Sequence, residues 1–154
     1  MAMTLQSPAF APGSRIPDLY TCQGDDISPP LVWSGVPAEA RSLVLLCDDP
    51  DAPAGTWHHW GLYDLPPTTS VLPQRYPTAA TLGTARQATN DFRHSGYGGP
   101  CPPPGHGVHH YHFKLLALRI DKLPLRAAAR CADVAAAAQP HVVASAELVG
   151  TYSR

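Results

Sequence analysis

A chain of 154 residues, 44% hydrophobic and 15% charged, can bury one substantial core and is too apolar to be disordered. Its formal net charge of −1 supplies no broad basic field, which excludes bulk attraction to nucleic acid or to an anionic membrane. The 18 prolines, about twice average usage, suit turns better than helices or central strands and point to a loop-rich, mainly β protein.

The opening MAMTLQSPAFAPGSR has no apolar stretch behind a basic one, so no secretory signal is expected, and no segment approaches the ~20 apolar residues of a membrane span. Cys22, Cys47, Cys101 and Cys131 are scattered without a CxxC pair. Four buried or idle thiols in a reducing cytosol are the expectation, hence a cytoplasmic protein.

Residues 1–40, rich in Pro, Gly and Asp with the apolar bursts IPDLY and PLVW, read as short strands and turns at a sheet margin. SLVLLCDD at 42–49 is a nearly continuous apolar run, as expected of a strand buried on both faces. WHHWGLYDL at 57–65 carries large apolar groups on both alternating faces and reads as a second central strand. Strict alternation groups His59 with Trp57 and Tyr63, and His58 with Trp60 and Leu62. From 66 to 107 the composition is that of turns, a length that is unusual unless the segment serves a site. HYHFKLLALRID at 110–121 reads as a third strand, continuing an inward face of His109, Tyr111, Phe113, Leu115 and Ala117. LRAAARCADVAAAAQ, 125–139, is alanine-rich and predicts the one substantial helix, with Pro140 past its end. VVASAELVGTYS, 142–153, predicts a closing strand. With no repeat and no linker, the expectation is a single domain over 1–154, antiparallel sheets packed as a sandwich with a late helix.

Histidine and carboxylate gather in two places, DDPDAPAGTWHHW at 48–60 and GPCPPPGHGVHHYHF at 99–113. Such clusters serve a metal, a hydrolytic site, an anion pocket or a plain polar surface. HxxHH and HHxH do not match the HExxH zinc signature, although His59, His109 and Asp49 or Asp51 could reach one metal. No GxSxG elbow and no GxxxxGK[ST] phosphate loop occur. Periodicity separates His109 and Tyr111, at the start of a core face, from His106, His110 and His112 at the rim.

These motifs together, with SPPLVW at 28–33 and AELVGTY at 146–152, resemble the phosphatidylethanolamine-binding protein family, also called the Raf kinase inhibitor-like proteins, in its bacterial and archaeal branch. The resemblance implies a β-sandwich-like fold and a small pocket for phosphate, acetate or a phospholipid headgroup. By motif, that pocket is lined by Asp49, His59, Pro103, His109 and Tyr111, with Asp51 close behind. It further implies a non-enzymatic binding protein without cofactor, a cis Ala52–Pro53 peptide, a loop over 84–107 packed on the pocket, and the homodimers common among bacterial relatives. Two departures stand out: His110 follows the motif histidine where relatives often carry arginine, and no C-terminal extension follows Arg154. Within the pocket, Asp49 is expected to keep His59 protonated near neutrality. The rival functions are a regulator that restrains a kinase or protease through protein contacts, and a metal-dependent hydrolase using the same Asp and His residues.

Overall fold

The computed structural model describes residues 2–154 as two antiparallel sheets and one short helix. Strands β1 (Thr4–Gln6), β2 (Leu31–Ser34) and β5 (Val71–Leu72) form a three-stranded sheet in the order β1-β2-β5. The larger sheet contains β3 (Ser42–Asp49), β4 (Trp57–Leu65), β6 (Thr81–Leu82), β7 (Ala85–Gln87), β8 (His109–Leu118) and β9 (Val142–Tyr152), in the order β6-β7-β4-β3-β8-β9. The three apolar runs read from sequence are its centre.

β3 explains why the sheet needs cover on both sides. Leu43, Leu45 and Cys47 enter the core between the sheets, with Leu31, Trp33, Leu72, Phe113 and Leu148. Val44 and Leu46 face the opposite side and meet Cys131, Val134 and Ala138 of α1 (Cys131–Ala138). The helix is thus an apolar lid on the second face, and fully burying each such side chain is worth about 1.5–3 kcal/mol.

That helix is shorter than alanine content suggests. Residues 125–130 are committed to tertiary hydrogen bonds that an early helical turn would need for itself. The Arg86 guanidinium donates to Leu123 O and Leu125 O, Thr89 N–H donates to Ala129 O, and Cys131 N–H donates to Thr89 O. Asp64, at φ 57, accepts from Leu123 N–H and from Arg86. Helix propensity, a few tenths of a kcal/mol per residue, does not compete with that network. α1 starts where Asp133 accepts the Arg130 N–H and passes into a 3₁₀ turn at Gln139–His141.

The structure corrects several further expectations. IPDLY is not a strand: Asp18–Tyr20 is a 3₁₀ turn. The turn-rich stretch 66–107 holds three short strands, β5, β6 and β7. Cys22 and Cys101 are joined in a disulfide with a sulfur–sulfur distance of 2.17 Å, while Cys47 and Cys131 are free and buried. The pair lies 79 residues apart in sequence, so no local spacing announces it. It also removes the premise of four thiols on which the cytosolic expectation rested. Among the described residues no helix is long and apolar enough to cross a membrane.

The Ala52–Pro53 bond is trans, as is every peptide bond described. Gly55 N–H donates to Ala52 O at 3.1 Å, closing a turn with Pro53 at its second position. A trans proline fits there without strain, since its fixed φ is the one that position requires.

Candidate functional site

Three adjacent central strands meet at one end of the large sheet, where β3 finishes and β4 and β8 begin, and a cavity of about 190 Å³ opens there. Its walls are Asp49, Ala52, Pro53, Trp57, His59, Phe92, Cys101, Pro102, Pro103, His109 and Tyr111. Five of the six residues singled out from sequence (Asp49, His59, Pro103, His109 and Tyr111) are therefore brought together. Asp51 is not among the lining residues. It is exposed, its carboxylate accepting the backbone N–H of His110 and facing the His110 ring at 2.8 Å. Those contacts hold the Asp51 carboxyl below its ordinary value.

His59 reaches the cavity because β4 is irregular. Cys47 pairs with Trp60 and Asp48 with His58, so His59 is the extra residue of a β-bulge. A bulge re-aims the side chain it carries. This breaks the expected grouping: His59 shares the cavity with Trp57, whereas Tyr63 packs on the helix side of the sheet. The His59 ring lies edge-on to Phe92 and Tyr111, with centroids 5.3 and 5.2 Å away.

Both inner histidines are 2% exposed and both are anchored through Nδ1, but to different partners. His59 Nδ1 donates to Gly98 O at 2.7 Å. Burial pushes His59 below its ordinary value, outweighing the favourable Gly98 carbonyl and the more distant Asp49 charge. His59 is therefore neutral near pH 7, with the lone pair on Nε2, contrary to the expectation that Asp49 would hold it protonated. The Asp49 carboxylate is engaged elsewhere: Oδ2 meets His109 Nδ1 at 2.6 Å, and Oδ1 accepts the Asp51 N–H at 2.8 Å. His109 Nε2 in turn meets Nδ1 of exposed His106 at 2.7 Å. Burial, with the Asp49 charge second, raises Tyr111 far above an ordinary phenol, so its hydroxyl stays protonated and able to donate.

The opposite side of the cavity is a lip from the later part of the expected 84–107 loop, whose residues 85–87 are instead strand β7 of the large sheet. Asp91 N–H donates to His58 O and Gly98 N–H to His59 O, laying the loop along the bulged strand. Glycine is required at this crossing. A Cβ on Gly98 would stand 2.4 Å from the Phe92 ring, and one on Gly99 would stand 2.3 Å from Tyr20 O. The lip is held further by the disulfide at Cys101, by Arg154 Nε donating to Pro102 O, and by Gly105 N–H donating to Arg154 O. Trp57 and Pro102 lie inside the two histidine-bearing motifs but were not named as pocket residues, and Phe92 was not singled out at all. Phe92 lies outside both motifs and arrives by tertiary folding.

Among the described residues no three His, Cys, Asp or Glu side chains are grouped as a metal ion would require. The arrangement can hold a small polar group over buried imidazoles and a phenol, inside a largely apolar mouth.

Comparison with known proteins agrees with this architecture. Residues 6–153 match the sequence pattern of the phosphatidylethanolamine-binding protein family. The UPF0098 protein of Methanothermobacter thermautotrophicus is 47% identical over 153 residues, 99% of each chain. That of Aquifex aeolicus is 44% identical over 152 residues, 99% of this chain and 89% of its own. Among solved structures, Escherichia coli YbcL, described as a member of the mammalian PEBP family, superposes with a TM-score of 0.93 at 32% identity over 100% of this chain and 99% of its own. A Chlamydia trachomatis PEBP homolog superposes with a TM-score of 0.88 at 40% identity over 99% of this chain and 98% of its own. The shared sheets, the motif-bearing strand ends and these matches along nearly the whole chain place it in the phosphatidylethanolamine-binding protein family.

Proposed function

We propose that this chain is a non-enzymatic binding protein whose cavity takes a small oxyanion, either phosphate or the phosphate of a phosphorylated headgroup or ligand. The observation that carries the reading is the pairing of two buried imidazoles, each fixed through Nδ1, with a protonated Tyr111 on one small cavity. The volume of about 190 Å³ lies below the ~300 Å³ at which sites for drug-sized molecules begin, and suits a headgroup-sized ligand. Neutral His59 sharpens the chemistry. Phosphate keeps at least one P–OH throughout pH 6–8, and that hydroxyl donates to the lone pair at His59 Nε2.

Calorimetry with inorganic phosphate at pH 6, 7 and 8 tests this. Burial favours the monoanion over the dianion, so affinity is level below the second ionisation of phosphate, at pH ~7, and falls toward tenfold per pH unit above it. Glycerophosphoethanolamine in a parallel titration separates a headgroup preference from a free-phosphate one. Absence of phosphate binding at millimolar concentration, or binding unchanged in His59→Ala, overturns the reading.

A further inference from the structure

Three side chains at the cavity mouth form a hydrogen-bonded series, of which the anion site uses only the buried pair Asp49 and His109. Asp49 Oδ2 meets His109 Nδ1 at 2.6 Å, and His109 Nε2 meets His106 Nδ1 at 2.7 Å. The first two residues are buried and the third is exposed, so the series runs from the interior to solvent. His106 is not among the lining residues, yet it is packed ring to ring on His109, with centroids 4.9 Å apart. Its backbone is set by a tight turn, His106 N–H donating to Pro103 O with Gly105 at φ 74. A carboxylate–imidazole pair hydrogen-bonded to a third group is the arrangement that activates a nucleophile. Here the third group is itself an imidazole, held through Nδ1 and with no hydrogen bond at Nε2 among the described residues.

We infer that His106 Nε2 is a phosphoryl-accepting nucleophile, with His109 as its proton acceptor and Asp49 as the residue that positions His109. The inference rests on the oxyanion reading of the cavity, which brings the phosphoryl group to the mouth. The donor class is a small phosphoramidate or acyl phosphate. With phosphoramidate in its ⁺H₃N–PO₃²⁻ form, the Nε2 lone pair of His106 forms the new N–P bond. The donor's P–N bond breaks with its electron pair on nitrogen, which leaves as ammonia. The Nδ1 proton of His106 passes to His109 Nε2, and the Asp49 carboxylate stabilises the positive charge that develops on the His109 ring. The product is a phosphoimidazole at His106 beside a His109–Asp49 ion pair. Arg154, hydrogen-bonded through Nε to Pro102 O, brings a guanidinium to the same lip, where it favours the anionic group.

The full chain contains its own references. His94 is exposed, its Nδ1 only 3.0 Å from a backbone carbonyl oxygen, and His110 is paired directly with Asp51 without an intervening imidazole. The chain is incubated with potassium phosphoramidate, and the rate of phosphoryl gain at each histidine is mapped by mass spectrometry under non-acidic conditions. His106 is expected to react about 100-fold faster than His94, the contribution of a positioned general base. The advantage is lost in His109→Ala and restored by added imidazole, a rescue that a merely structural role would not give. If His109→Ala does not fold, Asp49→Asn serves, with an expected loss of about tenfold or more at His106. Equal rates at His106 and His94, or a His106 rate unaffected by these substitutions, overturn the inference. Inorganic phosphate binding, followed separately by ³¹P line broadening, keeps the two readings apart. Phosphate bound without His106 labelling removes this inference alone, and labelling without phosphate bound removes the oxyanion reading.

Discussion

The two sides of the cavity are built by different means. The wall carrying Asp49, His59, His109 and Tyr111 belongs to three neighbouring strands, with β8 paired to β3 from Ser42↔Leu118 to Asp48↔His112 and to β9 along its whole length. The lip carrying Phe92, Cys101, Pro102 and Pro103 has no such ladder, and is held by a disulfide, separate backbone hydrogen bonds to His58 and His59, close glycine crossings and the Arg154 strap. A wall made of ladders fails only when the sheet fails, whereas a lip made of single locks can loosen while the sheet stays folded.

Removing the strongest lock should separate the two sides most clearly. Replacing Cys22 and Cys101 together by alanine is expected to lower stability by about 2–4 kcal/mol, the usual cost of losing a native disulfide. Urea denaturation measures that loss. Amide exchange should quicken over residues 98–106 while Tyr111 and Phe113 keep their protection; equal loss of protection in β8 would show that wall and lip are one cooperative unit.

The wall is probed by pH. The folded pKa of His59 lies below its unfolded value of about 6.5, so the folded state binds fewer protons between the two. The stability this represents is complete above that unfolded value and declines as pH falls toward the folded one, by at most about 1.4 kcal/mol per pH unit. His59→Gln should flatten the fall in stability between pH 7 and 5. An identical slope in the variant would mean that another group governs it.

The smallest effect is expected at the strap. Arg154→Ala removes the Nε–Pro102 O hydrogen bond and should cost about 0.5–1.5 kcal/mol, seen as a small drop in denaturation midpoint. The same change should weaken phosphate binding more than it lowers stability, because it acts where the ligand enters. A loss of stability above that of the disulfide variant would contradict the division between wall and lip.

Much of the wall was legible in the amino-acid pattern. SLVLLCDD and WHHWGLYDL coincide with β3 and β4, and the alternation over 109–117 orders β8 as observed, because a two-residue period and double burial leave direct marks in composition. The bulge at His59 left none, since one unpaired residue is a property of the strand pair. The alanine-rich run misled about helix length because the Arg86 guanidinium, 39 residues from Leu125 in the chain, captures the carbonyls just before it. The Asp49 partner was likewise misassigned, to His59 rather than His109, because which imidazole a carboxylate meets depends on strand register and angle rather than on nearness in sequence.

Sequence alone determined the class of fold, the central strands and the residue types that gather at their ends, since burial and periodicity are written position by position. Only the tertiary structure decided which groups touch: Cys22 with Cys101, Asp49 with His109, His106 with His109, and neutral His59 with Gly98. Those contacts depend on positions set to within a few tenths of an ångström, between segments as many as 79 residues apart, and no local pattern encodes them.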